Sequence, residues 1–166
     1  MAVLTAAEMA LRLNVRDVGM EPEIEATIAE ATAHIEQIVG PLEQSTRTAL
    51  VSVSSGVATV PVWPVLSVTS GVDSAGVTVD VSAVKVRPGG VLSSCPASLY
   101  EVTYEAGRVS CPADLKAALS ELVRHLWQSR RPASGHATPP DGQAPGYLLP
   151  YRVATLLEPH RLAGFA

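Results

Sequence analysis

The chain is poor in the residues that would announce chemistry. It has only two cysteines, Cys95 and Cys111, and only two lysines, Lys85 and Lys116. No cysteine pair has the spacing of metal ligands, and without an export signal two cysteines read as free thiols in a reducing compartment. Nothing in the pattern supports bridging them. Arginine, alanine and valine are abundant where lysine is scarce, which speaks of a GC-rich origin and not of mechanism. The N-terminus has no basic leader region, and Glu8 and Arg12 interrupt its apolar residues, so no signal peptide and synthesis inside the cell are expected. No apolar run approaches the ~20 residues that span a bilayer, so no membrane partner is expected. A nucleophile elbow, a P-loop and a dinucleotide fingerprint are missing too. The histidines, at 34, 125, 136 and 160, lie on separate segments. His34 and His125 read as helix-surface residues, and Asp73 and Asp80 as turn residues. Pro88-Gly89-Gly90 has no helix after it and is a poor phosphate cradle. These absences argue against an enzyme: no catalytic, cofactor-binding or metal residue is assigned, and no cofactor.

What is present is a core. Hydrophobic residues make up 47% of the 166 and charged ones 17%, which suits one globular domain. The strongest element runs from Pro112 to Arg131. Leu115, Ala118, Leu119, Leu122, Val123, Leu126 and Trp127 recur at the spacing of one helical face, with Lys116, Glu121, Arg124, His125, Gln128 and Arg130 on the other. Pro112 suits the first turn, Asp114 puts a carboxylate near the positive end, and Pro132 stops the helix. Upstream, Thr5-Ala6-Ala7-Glu8 has capping-box spacing and opens a short helix over 5–14. A second helix over 22–40 carries the stripe Ile24, Ile28, Ala31, Ile35, Ile38 and Val39, with Glu21, Glu23 and Glu25 crowding its start and Gly40-Pro41 ending it.

Between the helices the texture changes. From 45 to 105 the chain is rich in Val, Ser and Thr, with turn residues about every ten positions. Ala49–Val53, Val57–Val62, Val65–Val72, Val77–Val81, Val84–Arg87 and Leu99–Tyr104 are the expected strands of an antiparallel sheet or small barrel. Pro61 and Pro64 mark an edge or a bulge. The fold class is therefore α+β: a helical core from three helices, an inserted antiparallel β subdomain, and an extended C-terminal tail. Residues 1–131 are expected to form one domain, 132–146 a Pro/Gly-rich linker, and 147–166 a tail. That tail is apolar at Tyr147, Leu148, Leu149, Tyr151, Val153, Leu156 and Leu157, with a helical turn near Val153–Leu157 ended by Pro159. It either folds back on its own core or docks on another chain, with the linker supplying reach.

Charge is unevenly spread. Residues 1–43 hold eight acids against Arg12 and Arg16, a balance of −6, while 108–166 hold seven bases against four acids, a balance of +3. Either both are solvated faces, or the two ends meet, within a subunit or between neighbours. The first two helices imitate a helix-turn-helix, but residues 22–40 carry four glutamates and no base and would repel phosphates.

The order of these segments resembles one family. A short Leu-Thr-x-x-Glu helix precedes an acidic helix ending Ile-Glu-x-x-x-Gly, then a β-rich insert with Trp-Pro-Val-x-Ser-Val. Val-Thr-Tyr-Glu-Ala-Gly then runs into Cys-Pro-Ala-Asp-Leu-Lys-x-Ala-x-x-x-Leu-Val-x-His-x-Trp, and Leu-Leu-Pro-Tyr-Arg-Val-x-x-Leu-Leu closes the chain. Together they resemble the head-to-tail connector (adaptor, head-completion) proteins of long-tailed double-stranded DNA phages, most of all those of actinobacterial phages. The β insert is larger than in the compact helical members. The resemblance implies a virion protein, synthesised in the host cytoplasm, that forms a ring of twelve copies beneath the portal. The ring would extend the DNA channel without sequence-specific binding and offer a platform to a downstream neck, stopper or tail protein. It implies portal binding by Tyr147, Leu148, Leu149, Pro150, Tyr151, Arg152, Val153, Leu156 and Leu157. Contacts between subunits are expected from Glu23, Glu25 and Glu30 against Arg124, Arg130 and Arg131. A different neck component (stopper or tail-completion protein) and a nucleic-acid-binding regulator are the alternatives.

Overall fold

A computed structural model describes residues 3–130 and 149–162; the expected linker, Tyr147, Leu148 and Arg131 lie outside them. The elements are helices α1 (Ala6–Leu13), α2 (Glu21–Val39), α3 (Ala113–Arg130) and α4 (Tyr151–Leu157). Between α2 and α3 come strands β1 (Ser45–Leu50), β2 (Val57–Thr59), β3 (Val65–Val72), β4 (Thr78–Val79), β5 (Lys85–Arg87), β6 (Val91–Ser93) and β7 (Glu101–Ala106). The α+β class with antiparallel pairing throughout is as the sequence indicates.

The chain divides into a helical unit, from residues up to 38 and from 112 to 161, and a β unit from 39 to 111. In the helical unit all seven apolar residues expected on one face of α3 are buried, and Ser120 joins them. Each large one contributes roughly 1.5–3 kcal/mol relative to exposure. The capping box forms: Glu8 N–H donates to Thr5 Oγ1 at 3.2 Å and Thr5 N–H to Glu8 Oε2 at 3.0 Å. On α2 the buried set is Ile24, Thr27, Ala31, Ile35 and Val39. Ile28 and Ile38, expected in that stripe, are only half-buried. Thr27 can occupy the inner place without water because its hydroxyl donates to the Glu23 carbonyl one turn back, at 2.8 Å.

In the β unit, β7 is an interior strand of the order β1-β7-β3-β4, and β6 is the middle of β2-β6-β5. Strand β7 alternates strictly, burying Val102, Tyr104 and Ala106 on one face. Those side chains join Val51, Ala58, Val60, Leu92, Cys95 and Leu99 in one core.

Several strand limits need correction. The first strand covers 45–50 and not 49–53, because pairing Ser45 with Ala106 and Leu50 with Glu101 recruits a polar stretch with no pattern of its own. The second stops at Thr59, ahead of Pro61, which has no N–H to offer a ladder. Val77–Val81, Val84–Arg87 and Leu99–Tyr104 become 78–79, 85–87 and 101–106, and β6 is a strand that the pattern does not predict. Residues 65–72 form a strand over the expected range.

Two glycines close the β unit where no side chain fits. A Cβ on Gly40, at φ +76°, would lie 2.1 Å from the Trp63 carbonyl oxygen, and one on Gly107, at φ +109°, 2.0 Å from that of Glu43. Arg108 follows and reaches back to the end of α2, donating to the carbonyls of Val39 at 2.9 Å and Pro41 at 3.0 Å. The cation satisfies the last carbonyl of α2, at Val39, where the helix end is negative, and that of Pro41 just beyond it. Cys95 and Cys111 are both unbridged, and burial pushes the Cys95 thiol above its ordinary value.

Candidate functional site

The tail residues expected to bind a partner fall mainly on α4, a two-turn helix whose Val153 and Leu157 are four residues apart and both buried. They face α3, against which α4 packs. Of the two fates left open for this segment, residues 151–157 fold back on the helical unit. A second tie, just past the end of α4, fixes His160. Its Nε2 lies 2.6 Å from Asp114 Oδ2, while Asp114 Oδ1 accepts the Leu115 N–H at 2.9 Å. The imidazole bond, above all, holds the Asp114 carboxyl below the ordinary carboxylate value; desolvation opposes it. Sequence reasoning misses this pair: 46 residues separate the partners, and neither sits in a motif.

The rest of α4 is turned outward. Tyr151 is 87% exposed, Arg152 is exposed, and Leu149, Pro150 and Leu156 are half-buried. A tyrosine so exposed on a docked helix offers apolar area with a polar tip.

The charged ends of the sequence meet inside the helical unit. Lys116 Nζ on α3 lies 3.0 Å from Glu8 Oε1 on α1, and Arg130 pairs with Glu30 of α2. Both pairs are substantially exposed and screened by solvent, so neither is a strong tie. Arg12 Nη1 donates to the buried Ser120 Oγ at 2.5 Å, joining α1 to α3. Of the residues expected between subunits, Glu30 and Arg130 are therefore already paired within the chain, and Arg124 contacts Glu121 one turn away on its own helix at 2.5 Å. Glu23 and Glu25 are exposed at the start of α2.

Between α1 and α2 lies a shallow groove of about 390 Å³, floored by Leu4, Ala6, Ala7, Ile28 and Ala29 and flanked by Glu21 and Glu25. A smaller recess of about 180 Å³ continues it past Ala10 toward Ile24. Among the described residues, no group of three His, Cys, Asp or Glu could hold a metal ion, and no helix is long and apolar enough to cross a membrane.

Residues 2–163 match the model of a protein family described as "Head completion protein". No curated protein matches significantly. Two solved structures share the fold. One is a chain in the neck of an empty gene transfer agent particle computed with six-fold symmetry, at 21% identity and TM-score 0.67, covering 97% of this chain and 92% of that one. The other is a chain of the virion of a native gene transfer agent particle, at 20% identity and TM-score 0.64, covering 96% and 89%.

Proposed function

The chain belongs to the head completion protein family, and from that membership we propose that it is a structural component of the virion neck, a ring of copies between portal and tail that extends the DNA channel. The family match over residues 2–163 carries this reading, and the likeness to a chain in a gene transfer agent neck supports it. The six-fold symmetry named for that neck is consistent with twelve copies. Twelve repeats of a weak contact give strong attachment without any single tight one. DNA passes through without sequence-specific binding, and a downstream neck or tail protein docks on the far side. No catalytic step is part of this role.

The C-terminal segment, 147–157, supplies the partner contacts. Val153 and Leu157 are spent on the chain's own α3 and set the position of α4. Leu149, Pro150, Tyr151, Arg152 and Leu156 are the described residues left to meet a partner. Because α4 is already ordered on α3, docking through its outward side avoids much of the several kcal/mol that ordering a free tail costs.

A nonsense allele of the gene in the infecting phage tests the role. DNA-filled heads accumulating beside free, complete tails are the expected result. Intact virions, or a block before any head appears, would contradict it, the second pointing to a regulator. Heads that carry this protein's neighbours but lack only the tail-side closure would assign it to the stopper or tail-completion position.

A further inference from the structure

The helical unit has an acceptor and a donor that complement each other and are satisfied by nothing in their own chain among the described residues. The acceptor is the α1/α2 groove, with Ala6, Ala7, Ile28 and Ala29 in its apolar lining and Glu21 and Glu25 at its rim. Both carboxylates are exposed, and neither enters a hydrogen bond or ion pair among the described residues. The donor is the pair Tyr151–Arg152: the ring is 87% exposed, and the adjacent guanidinium likewise has no partner among the described residues. Arg12, Lys116, Arg124, Arg130 and Arg161 are engaged, with Ser120, Glu8, Glu121, Glu30 and Glu158 in turn. Arg16 is exposed and without a partner among the described residues, but it lines the recess beside Glu21 on the acceptor side and so cannot serve as the donor of a distant element.

We propose that the α1/α2 groove of one copy receives Tyr151 and Arg152 of a second copy, the ring lying on the alanine floor and the guanidinium bridging Glu21 and Glu25. A guanidinium that meets two carboxylates beside an apolar surface makes stronger, more directional bonds than an ammonium would. In a ring such a contact is heterologous, each copy giving its donor to one neighbour and its acceptor to the other, and it repeats from copy to copy until it closes. This inference rests on the ring reading and divides the outward side of the tail: Tyr151 and Arg152 hold the neighbour, while Leu149, Pro150 and Leu156 remain for the portal.

Charge reversal with rescue tests it, using the full chain alone in sedimentation velocity and on its portal by mass measurement. Arg152→Glu and the double variant Glu21→Arg/Glu25→Arg change only exposed positions, and unchanged circular dichroism checks their folding. Each variant alone is expected to weaken self-association at least tenfold, or to lower the number of copies held per portal. Mixing the two restores assembly, because each supplies the half the other lacks. Tyr151→Ala should weaken it without charge rescue. Two results overturn the contact while leaving the ring intact: variants that assemble like wild type, or an Arg152→Glu defect in portal capture that the Glu21→Arg/Glu25→Arg variant does not rescue, which would turn these residues toward the portal. A wild-type chain that stays monomeric with and without portal overturns the ring reading itself, and this contact with it.

Discussion

Leu122 exposes none of its side chain and lies mid-way along the buried face of α3. Truncating it to alanine removes burial and leaves a cavity, so Leu122→Ala should lower stability by about 2–5 kcal/mol in chemical denaturation; a loss below ~1 kcal/mol would mean that this face is not core. Arg108 is a different kind of residue. Its two bonds to the carbonyls of Val39 and Pro41 are charge-assisted and only partly shielded, so Arg108→Ala should cost ~1–3 kcal/mol, and Arg108→Lys, lacking the fork, should recover only part of it. Asp114 predicts a pH dependence. Its folded-state value lies below the ordinary 3.8, so its contribution is complete above that value and is lost as the pH falls through the lower, folded one. Hydrogen exchange in α4 should therefore quicken on acidification more in wild type than in Asp114→Asn, and equal profiles would mean that the Asp114–His160 tie does not hold α4.

At the scale of elements, legibility follows how each element is stabilised. Helix α3 is readable because its own period of 3.6 dictates which residues are buried. Helix α2 is readable in its axis but not at its edge: Thr27 and Ile28 are neighbours in the chain, and which one turns inward depends on the packing partner and not on hydrophobicity. Strand β1 escapes the pattern because Ser45–Leu50 has no apolar alternation; its position is imposed by β7, fifty-odd residues away. Strand β6 is three residues long and follows a glycine pair, too short for any period to register. For the tail, the i, i+4 pair Val153 and Leu157 carries the signal for a helix but not for its target. The Asp114–His160 tie and the Arg108 cap leave no sequence trace because each joins residues that only the fold brings together. One consequence concerns truncation. Deleting residues 132–166 would strip Val153 and Leu157 from α3 and so destabilise the helical unit as well as remove the partner-facing side chains. Val153→Ala should reproduce the first effect alone, raising exchange along α3 and α4, while Arg152→Glu should leave exchange unchanged.

For the whole molecule, the charge asymmetry visible in the sequence resolves in part into ion pairs inside the helical unit, with Arg16, Glu21, Glu25 and Arg152 among the charges left over at its surface. Unsatisfied charge beside an apolar groove and an exposed tyrosine is the surface expected of a subunit that belongs to a larger assembly. The proposed ring on the portal is tested most directly by electron microscopy of purified portal mixed with this protein. An added collar of density at the narrow end of the portal, continuous with the channel and repeating around its axis, is the expected result. Bare portals, under conditions where both proteins are folded, would contradict it.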